Sequence, residues 1–191
     1  NPFFLEETVR TLVETKALEG ERGAYRLARP VQSLQIPATV QAILAARIDR
    51  LPVEEKQLLQ TASVVGKDVP SAILTAIAEL SEEVLRGALG HLQEAEFLYE
   101  TSLFPDLEYT FKHALTYEVT YGSLLQDRRR TLHGRIVETI ERLYPDRLPE
   151  HIDRLGHHAF RGEVWEKAVT YLRQSGAKAL ARSANREAVT C

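Results

Sequence analysis

The chain has 191 residues, 44% of them hydrophobic, and a formal net charge of −3. This length allows one large domain or two small ones, and the apolar content permits a packed core. The mild acidity argues against a nucleic-acid surface spread over the whole chain. Cys191 is the only cysteine, so no disulfide can form within the chain, and we expect a reducing, cytoplasmic environment.

No apolar run in the sequence approaches the length of a membrane span, so we expect no membrane partner. The sequence contains no methionine, and it begins and stops within helical patterns. We therefore expect the chain to be a fragment of a longer protein.

Residues 1–51 are predicted to form two helices separated by a short hairpin or an extended arm. Pro2 suits the first turn of a helix, because the N–H that proline lacks has no partner there. "AYRLA" alternates and follows a turn between Gly20 and Gly23, which indicates the hairpin. A second helix begins after Pro37 and ends before Pro52. Apolar residues at helical spacing support both helices: Leu5, Val9, Leu12 and Val13 in the first, and Val40, Ile43, Leu44, Ile48 and Leu51 in the second.

Residues 52–125 are predicted to form a winged-helix domain. "VEEKQLLQTASVVG" is a helix that Gly66 closes, and "PSAILTAIAEL" is a second helix. A third helix follows Ser81, whose hydroxyl is expected to cap it. "FLYETSL", a turn at "FPD" and "LEYTF" then indicate two strands. Three helices followed by a strand hairpin are the layout of a winged helix.

Residues 126–191 are predicted to be helical throughout. Small residues recur at spacings that suit helix packing, namely Ala168, Ala177, Ala181 and Ala188. "EKAVTYL" is echoed by "REAVTC" further along, so we predict the start of an arm that resembles tetratricopeptide repeats. The overall prediction is a mainly α fold: a helical lid remnant, a winged helix with a small β-hairpin, and a helical arm.

Enzymatic motifs are missing from the sequence. It contains no GxxxxGK[ST] or GxGxxG phosphate loop and no GxSxG nucleophile motif. We therefore predict no catalytic residues and no enzyme activity in this chain. His151, His157 and His158 lie close in sequence, but neither a cysteine nor an HExxH motif completes a metal site, so no metal ligand is predicted.

Two features bear on DNA binding, which a winged helix would normally perform through its third helix. That helix carries Glu82, Glu83, Glu94 and Glu96 against a single cation, Arg86. Because phosphate binding depends on lysine and arginine, this composition argues against DNA. The densest basic run, "RRRTLHGR", is interpreted as a solvated or interdomain face whose arginines pair with Asp127, Glu138 and Glu141, with a nucleic-acid patch as the alternative.

His113 lies where the alternating pattern of "EYTF" changes to the helical pattern of "HALTYEV". From the residues alone, it is either a half-buried histidine at a strand-to-helix turn or a functional group.

Four ordered stretches resemble a STAND-class P-loop ATPase, of the bacterial kind often joined to an adenylate/guanylate cyclase or a LuxR-type DNA-binding domain. "NPFFLEETVRTLVE" resembles the helical lid after the ATPase core. "IPATVQAILAARIDRLPVEEKQLLQTASVVGKDV" resembles the join between lid and winged helix. "YTFKHALTYEVTYGSLLQDRRRTLHGRI" resembles the F-[RK]-H-x-L segment at the end of the winged helix, and "HHAFRGEVWEKAVTYLRQSGAKALARSANREAV" resembles the start of a tetratricopeptide-like arm.

The resemblance implies a regulatory role that depends on ATP and ADP. A phosphate loop and a Mg²⁺-binding acid would belong to a core outside this chain. By the resemblance, Pro2 matches the lid proline that touches adenine, and His113 matches the histidine that contacts the β-phosphate of ADP. The implied partners are that core and proteins bound by the helical arm. The alternatives are a DNA-binding winged-helix regulator and a free-standing tetratricopeptide-type adaptor.

Overall fold

The computed structural model describes residues 2–20, 24–28, 39–102 and 107–190, and for residue 102 and the helix beyond residue 181 it describes the backbone alone. The predictions that concern Gly23, the turn at 104–106 and Cys191 lie outside the described residues.

The mainly α prediction is confirmed. The α-helices of the described residues, in chain order, are α1 Pro2–Glu14, α2 Val40–Asp49, α3 Val53–Val65, α4 Ser71–Ala78, α5 Glu82–Glu94, α6 Ala114–Gly122, α7 Gln126–Leu143, α8 Leu148–Arg161 and α9 Trp165–Thr190. The strands are β1 Leu18–Glu19, β2 Arg26–Leu27, β3 Asp68–Pro70, β4 Leu98–Ser102 and β5 Glu108–Phe111. A short 3-10 turn, Pro145–Arg147, joins α7 to α8.

The strands form two small antiparallel sheets. In the first, β1 pairs with β2, as the alternation of "AYRLA" predicts. The second has the order β3-β5-β4, with Val69 opposite Tyr109 and Tyr99 opposite Thr110. Strand β3 was not predicted, because three residues are too few to show alternation. Its last residue, Pro70, is tolerated because β3 lies at the edge of the sheet.

Local signals set two of the helix ends as predicted. The Ser81 hydroxyl accepts a hydrogen bond from the Val84 amide at 3.4 Å and so caps α5. Helix α3 ends at Gly66, whose φ of +146° is a conformation that favours glycine.

One hydrophobic core extends from α2 to α9. It includes Ile48 of α2, the inner faces of α3 to α5, Phe97 just before β4, Phe111 of β5, and the α7 residues Ile136 and Ile140. Leu155 and Ala168 continue it into α8 and α9. The core therefore crosses residues 125 and 126, where the sequence suggests a change of domain.

Helix α1 differs from the other helices in what it buries. Its only fully buried residue is Glu7, while Leu5 is 64% exposed and Val9 and Val13 are more than a third exposed. Phe3, Phe4 and Leu12 are half-buried. The apolar stripe seen in the sequence thus faces partly outward, and a carboxylate takes the inner position.

Helices α7, α8 and α9 pack in succession. Of the small residues noted in the sequence, Ala168 is buried, but Ala177 and Ala181 are exposed. The side chain of Ala188 lies outside the described part of α9. The first echoing stretch and the second as far as Thr190 belong to one continuous helix.

Candidate functional site

His113 lies at the junction of β5 and α6, where the change of periodicity predicts it. Its backbone is extended, with φ −133° and ψ 140°, and it occupies the N-cap position of α6. Its carbonyl accepts hydrogen bonds from the amides of Thr116 and Tyr117, at 3.1 and 3.3 Å. The imidazole makes no capping hydrogen bond. The ring therefore does not make the hydrogen bond to a helix amide that an N-cap side chain usually makes.

The His113 imidazole packs against an aromatic ring of α1. The ring centroids of Phe3 and His113 are 4.2 Å apart, with 48° between their planes. Nε2 of His113 is buried and has no hydrogen-bond partner within the described residues, although the residue as a whole is half-buried. An unpaired buried ring nitrogen is uncommon and marks a place where a ligand group could be bound.

Pro2 is the first residue of α1 and is exposed. It precedes Phe3, so the contact between Phe3 and His113 brings the beginning of α1 next to the beginning of α6. The two residues singled out in the sequence therefore lie in one neighbourhood, where two helix N-termini, each with a positive dipole end, come together.

An open cleft of about 490 Å³ lies beside His113. It is lined by Gln93, Glu96, Leu98, Tyr99, Lys112 and His113. Lys112 contacts Glu96 and lies 3.5 Å from Glu6 of α1. Hydrogen bonds from Lys112, and next from Arg10, lower the pKa of the Glu96 carboxyl. No sequence pattern indicates a role for Lys112, although it directly precedes His113.

A buried arginine connects α1 and α2 to the turn between α5 and β4. Nη1 of Arg47 donates to Glu7 at 2.5 Å, and its Nη2 donates to Glu14 at 2.7 Å and to the Ala95 carbonyl at 2.8 Å. The guanidinium lies 4.6 Å from the centre of the Phe97 ring. We refer to Arg47 with these four groups as the Arg47 cluster.

The sequence alone does not predict this cluster, although it contains a signal of it. Arg47 follows Val40, Ile43 and Leu44 at the spacing of the buried stripe of α2. A cation at such a position indicates a buried partner.

A second buried polar group joins α6, α7 and α8. The Nδ1 atoms of His133 and His158 are 2.8 Å apart, and the Tyr121 hydroxyl lies 3.1 Å from Nε2 of His133. Burial is the main cause that lowers the pKa of His133 to about 4 and that of His158 to about 3. The cations Arg129, Arg154 and Arg161 and the neighbouring His157 lower these pKa values further.

Of the three histidines that the sequence grouped together, His157 and His158 stay adjacent, with ring centroids 5.3 Å apart, and His151 lies elsewhere. His158 pairs with His133, and His151 instead stacks on Tyr144 with ring centroids 4.5 Å apart. Within the described residues, no group of three or more histidine, cysteine, aspartate or glutamate side chains could hold a metal ion. None of the described helices is long and apolar enough to cross a membrane.

The arginines of the basic run make internal contacts. Arg129 donates to the Leu124 carbonyl and lies over the Tyr121 ring, and Arg130 pairs with Asp127 and Glu163. Arg135 pairs with Glu79. The expected pairing with Asp127 is confirmed, whereas Glu141 pairs with Lys167 of α9 rather than with the run.

No protein-family model matches the chain. The chain is similar to a protein of Rhizobium meliloti (strain 1021) named "Uncharacterized protein R02095", with 26% identity over 188 residues. The match covers 98% of this chain and 18% of that protein. The chain thus spans less than a fifth of the length of the curated relative it matches.

Proposed function

We propose that this chain is a regulatory part of a STAND-class P-loop ATPase. It would couple the ADP or ATP state of a core outside this chain to conformational switching and to the recruitment of protein partners. The observation that carries the proposal is the unpaired Nε2 of His113, at the N-terminus of α6 and beside the beginning of α1. The four ordered motif resemblances support it.

The proposal also includes three finer features of the fold, namely a winged helix, a tetratricopeptide-like arm and the end of a helical lid. Helices α3, α4 and α5 with the β3-β5-β4 sheet suit a winged helix, in which β4 and β5 form the hairpin. The packing of α8 on α9 suits the first helix pair of a tetratricopeptide-like arm. Helices α1 and α2 would then be the end of the helical lid.

The chemistry of the site fits a nucleotide phosphate. A neutral imidazole can donate one N–H to a phosphate oxygen, and helix N-termini favour negative charge near their free amides. A β-phosphate would supply that charge, and Mg²⁺ would be held by residues of the core. Within this chain, His113 would bind the phosphate, and Pro2 would lie against the base.

Such a contact can act as a switch. A ligand shifts a conformational equilibrium only by the difference between its affinities for the two states. If His113 contacts ADP in one arrangement of the helices and not in the other, ADP retains the first arrangement. When ATP replaces ADP, the first arrangement is no longer favoured, and the helical arm becomes free to bind a partner.

The test uses the longer protein that contains this chain and a P-loop core. We expect His113→Ala to weaken ADP binding roughly 10-fold or more, as loss of one charge-assisted hydrogen bond implies, and to raise the basal signalling output. Isothermal titration with ADP measures the first effect. The matched control is His151→Ala, because His151 is also half-buried with an unpaired buried Nε2 but lies in α8.

Unchanged ADP affinity and unchanged output in His113→Ala would refute the proposal. An equal loss of ADP affinity in both variants would also refute it, since only a general loss of folding explains such a result. The absence of a GxxxxGK[ST] motif from the longer protein would remove its basis.

A further inference from the structure

The contact of α1 with the rest of the molecule buries one carboxylate fully and apolar side chains only in part. Glu7 is its only fully buried residue, with 1% of its surface exposed, and Leu5, Val9 and Val13 face outward. A carboxylate is costly to bury unless it is paired and hydrogen-bonded. The partner of Glu7 therefore determines whether α1 can occupy this position.

The hydrogen-bonded partner is Arg47, whose side chain is 2% exposed, and Nη1 of Arg10 lies 3.8 Å from Glu7 within α1 itself. In the Arg47 cluster the guanidinium bonds two carboxylates of α1, Glu7 and Glu14, and the carbonyl of Ala95. Arg47 itself belongs to α2, where Ile43, Leu44 and Ile48 are buried and Ile48 joins the hydrophobic core. The arginine is thus fixed on the core side, and α1 contributes the two acids.

The edge of this contact carries further ion pairs. Arg10 of α1 bonds Glu96, and Glu96 also bonds Lys112, the residue before His113. Phe3 of α1 covers the His113 ring at 4.2 Å. The same helix that presents the acids to Arg47 therefore also shields His113.

We propose that the Arg47 cluster is a conformational latch that holds α1 in place and can release it as a unit. Release exposes carboxylates and a guanidinium, which water solvates well, and it leaves the apolar core from α2 to α9 intact. When α1 leaves, Phe3 leaves with it and the His113 ring becomes accessible. The latch is a property of this chain alone and does not depend on the proposed nucleotide binding.

The test is hydrogen–deuterium exchange of the 191-residue chain without nucleotide. Arg47→Met leaves the buried Glu7 without its hydrogen-bonded partner and with only Arg10 nearby, at 3.8 Å, and loss of one partner strongly destabilises a buried pair. We expect amides of residues 2–14 to exchange roughly 100-fold faster, while those of α3 and α5 keep their protection. The matched control is Arg86→Met, which removes an arginine whose pair with Glu82 is exposed on both sides and should leave all rates unchanged.

Two further variants distinguish a latch from a general structural role. Glu14→Gln weakens only the outer, partly exposed side of the cluster, so it should accelerate exchange in α1 by a smaller factor. Glu7→Gln combined with Arg47→Met leaves no unpaired buried charge, so it should restore part of the protection lost in Arg47→Met. Unchanged exchange of α1 in Arg47→Met would overturn the proposal, and so would an equal acceleration in α1, α3 and α5.

Discussion

At the scale of single residues, the histidines differ in burial and therefore in their ability to bind a ligand. His113 is half-buried at a helix N-terminus and has a ring nitrogen without a partner. His133 and His158 are each 2% exposed and are hydrogen-bonded to each other. His113 can donate a ring N–H to a ligand, whereas His133 and His158 already bond each other across the contact between α7 and α8.

The His133–His158 pair makes stability depend on pH. Both pKa values are lowered in the folded state, to about 4 and about 3, whereas a free histidine titrates near 6.5. Between these limits the unfolded chain binds more protons than the folded one. The contribution of this pair to the free energy of unfolding is therefore fully present above about pH 6.5. It decreases as the pH falls, by roughly 2 kcal/mol for each histidine between pH 6.5 and 5. Urea unfolding at pH 7.5, 6 and 5 measures this loss.

A variant that removes one titrating imidazole tests whether the His133–His158 pair causes the loss of stability in acid. We expect His158→Gln to be less stable than the parent at pH 7.5, because the buried hydrogen bond to His133 is disturbed, but to lose less stability on acidification. An acid loss equal to that of the parent would show that groups other than this pair are responsible.

At the scale of elements, the turn between α8 and α9 packs closely on α7. A Cβ placed on Gly162 would come within 2.8 Å of the Gly134 amide nitrogen and 3.0 Å of the His158 carbonyl oxygen. Both atoms belong to helix backbones, which cannot move without disturbing the packing of α7 on α8. Glycine at this position therefore sets how closely the helices approach.

This close approach predicts the effect of Gly162→Ala. We expect the free energy of unfolding to fall by about 1–3 kcal/mol, the usual cost of forcing atoms into a packed contact. The control is Gly87→Ala in the exposed middle of α5, where a new Cβ meets nothing within 4 Å. That change should be neutral or stabilise the chain by up to about 1 kcal/mol through helix propensity. Denaturant unfolding of both variants compares them, and equal stabilities would contradict the expected contact.

At the scale of the whole molecule, the ability to bind DNA depends more on how the charges are distributed than on the net charge. The outer face of α5 exposes Glu82, Glu83 and Glu94 beside one arginine, Arg86, which pairs with Glu82. In α7, Arg129, Arg130 and Arg135 contact carbonyls or acids of the same chain, whereas Arg128 and Arg142 are exposed. The acids of α5 and the paired arginines of α7 thus reduce the free positive charge that binding to a phosphate backbone needs.

We expect no DNA binding by this chain. Fluorescence anisotropy with a labelled duplex should show no saturable binding at low salt, the condition that most favours non-specific association. The variant Glu82→Lys/Glu83→Lys reverses the charge at the start of α5 and should gain weak, salt-sensitive binding. Saturable binding by the unaltered chain would support the DNA-binding alternative.

The helices were predictable because apolar spacing and capping residues are local signals. Ser81, Gly66 and the stripe of α2 act within a few residues of their own positions, so the sequence indicates them directly. His113 was found in the same way, from a change of period at one residue. Strand β3 was missed because it is short and becomes a strand only by pairing with β5.

The Arg47 cluster and the histidine pair could not be derived in this manner. Each joins residues far apart in the sequence, and a charged or polar side chain in an apolar stripe indicates a buried partner without saying which one. Arg47 and His133 both occupy such positions, beside Ile48 and Ile136 respectively. Only the packing of α1 on α2 and of α7 on α8 selects Glu7 and His158.

The sequence by itself determined the mainly helical fold, the position of His113 and the lack of the phosphate-loop and nucleophile motifs. These follow from periodicity, from local caps and from which residues are present. The tertiary structure alone decided that Phe3 covers His113, that a glutamate is the buried residue of α1, and that Arg47 holds it. Those outcomes depend on burial, because pairing two charges is favourable only where the fold excludes water from both.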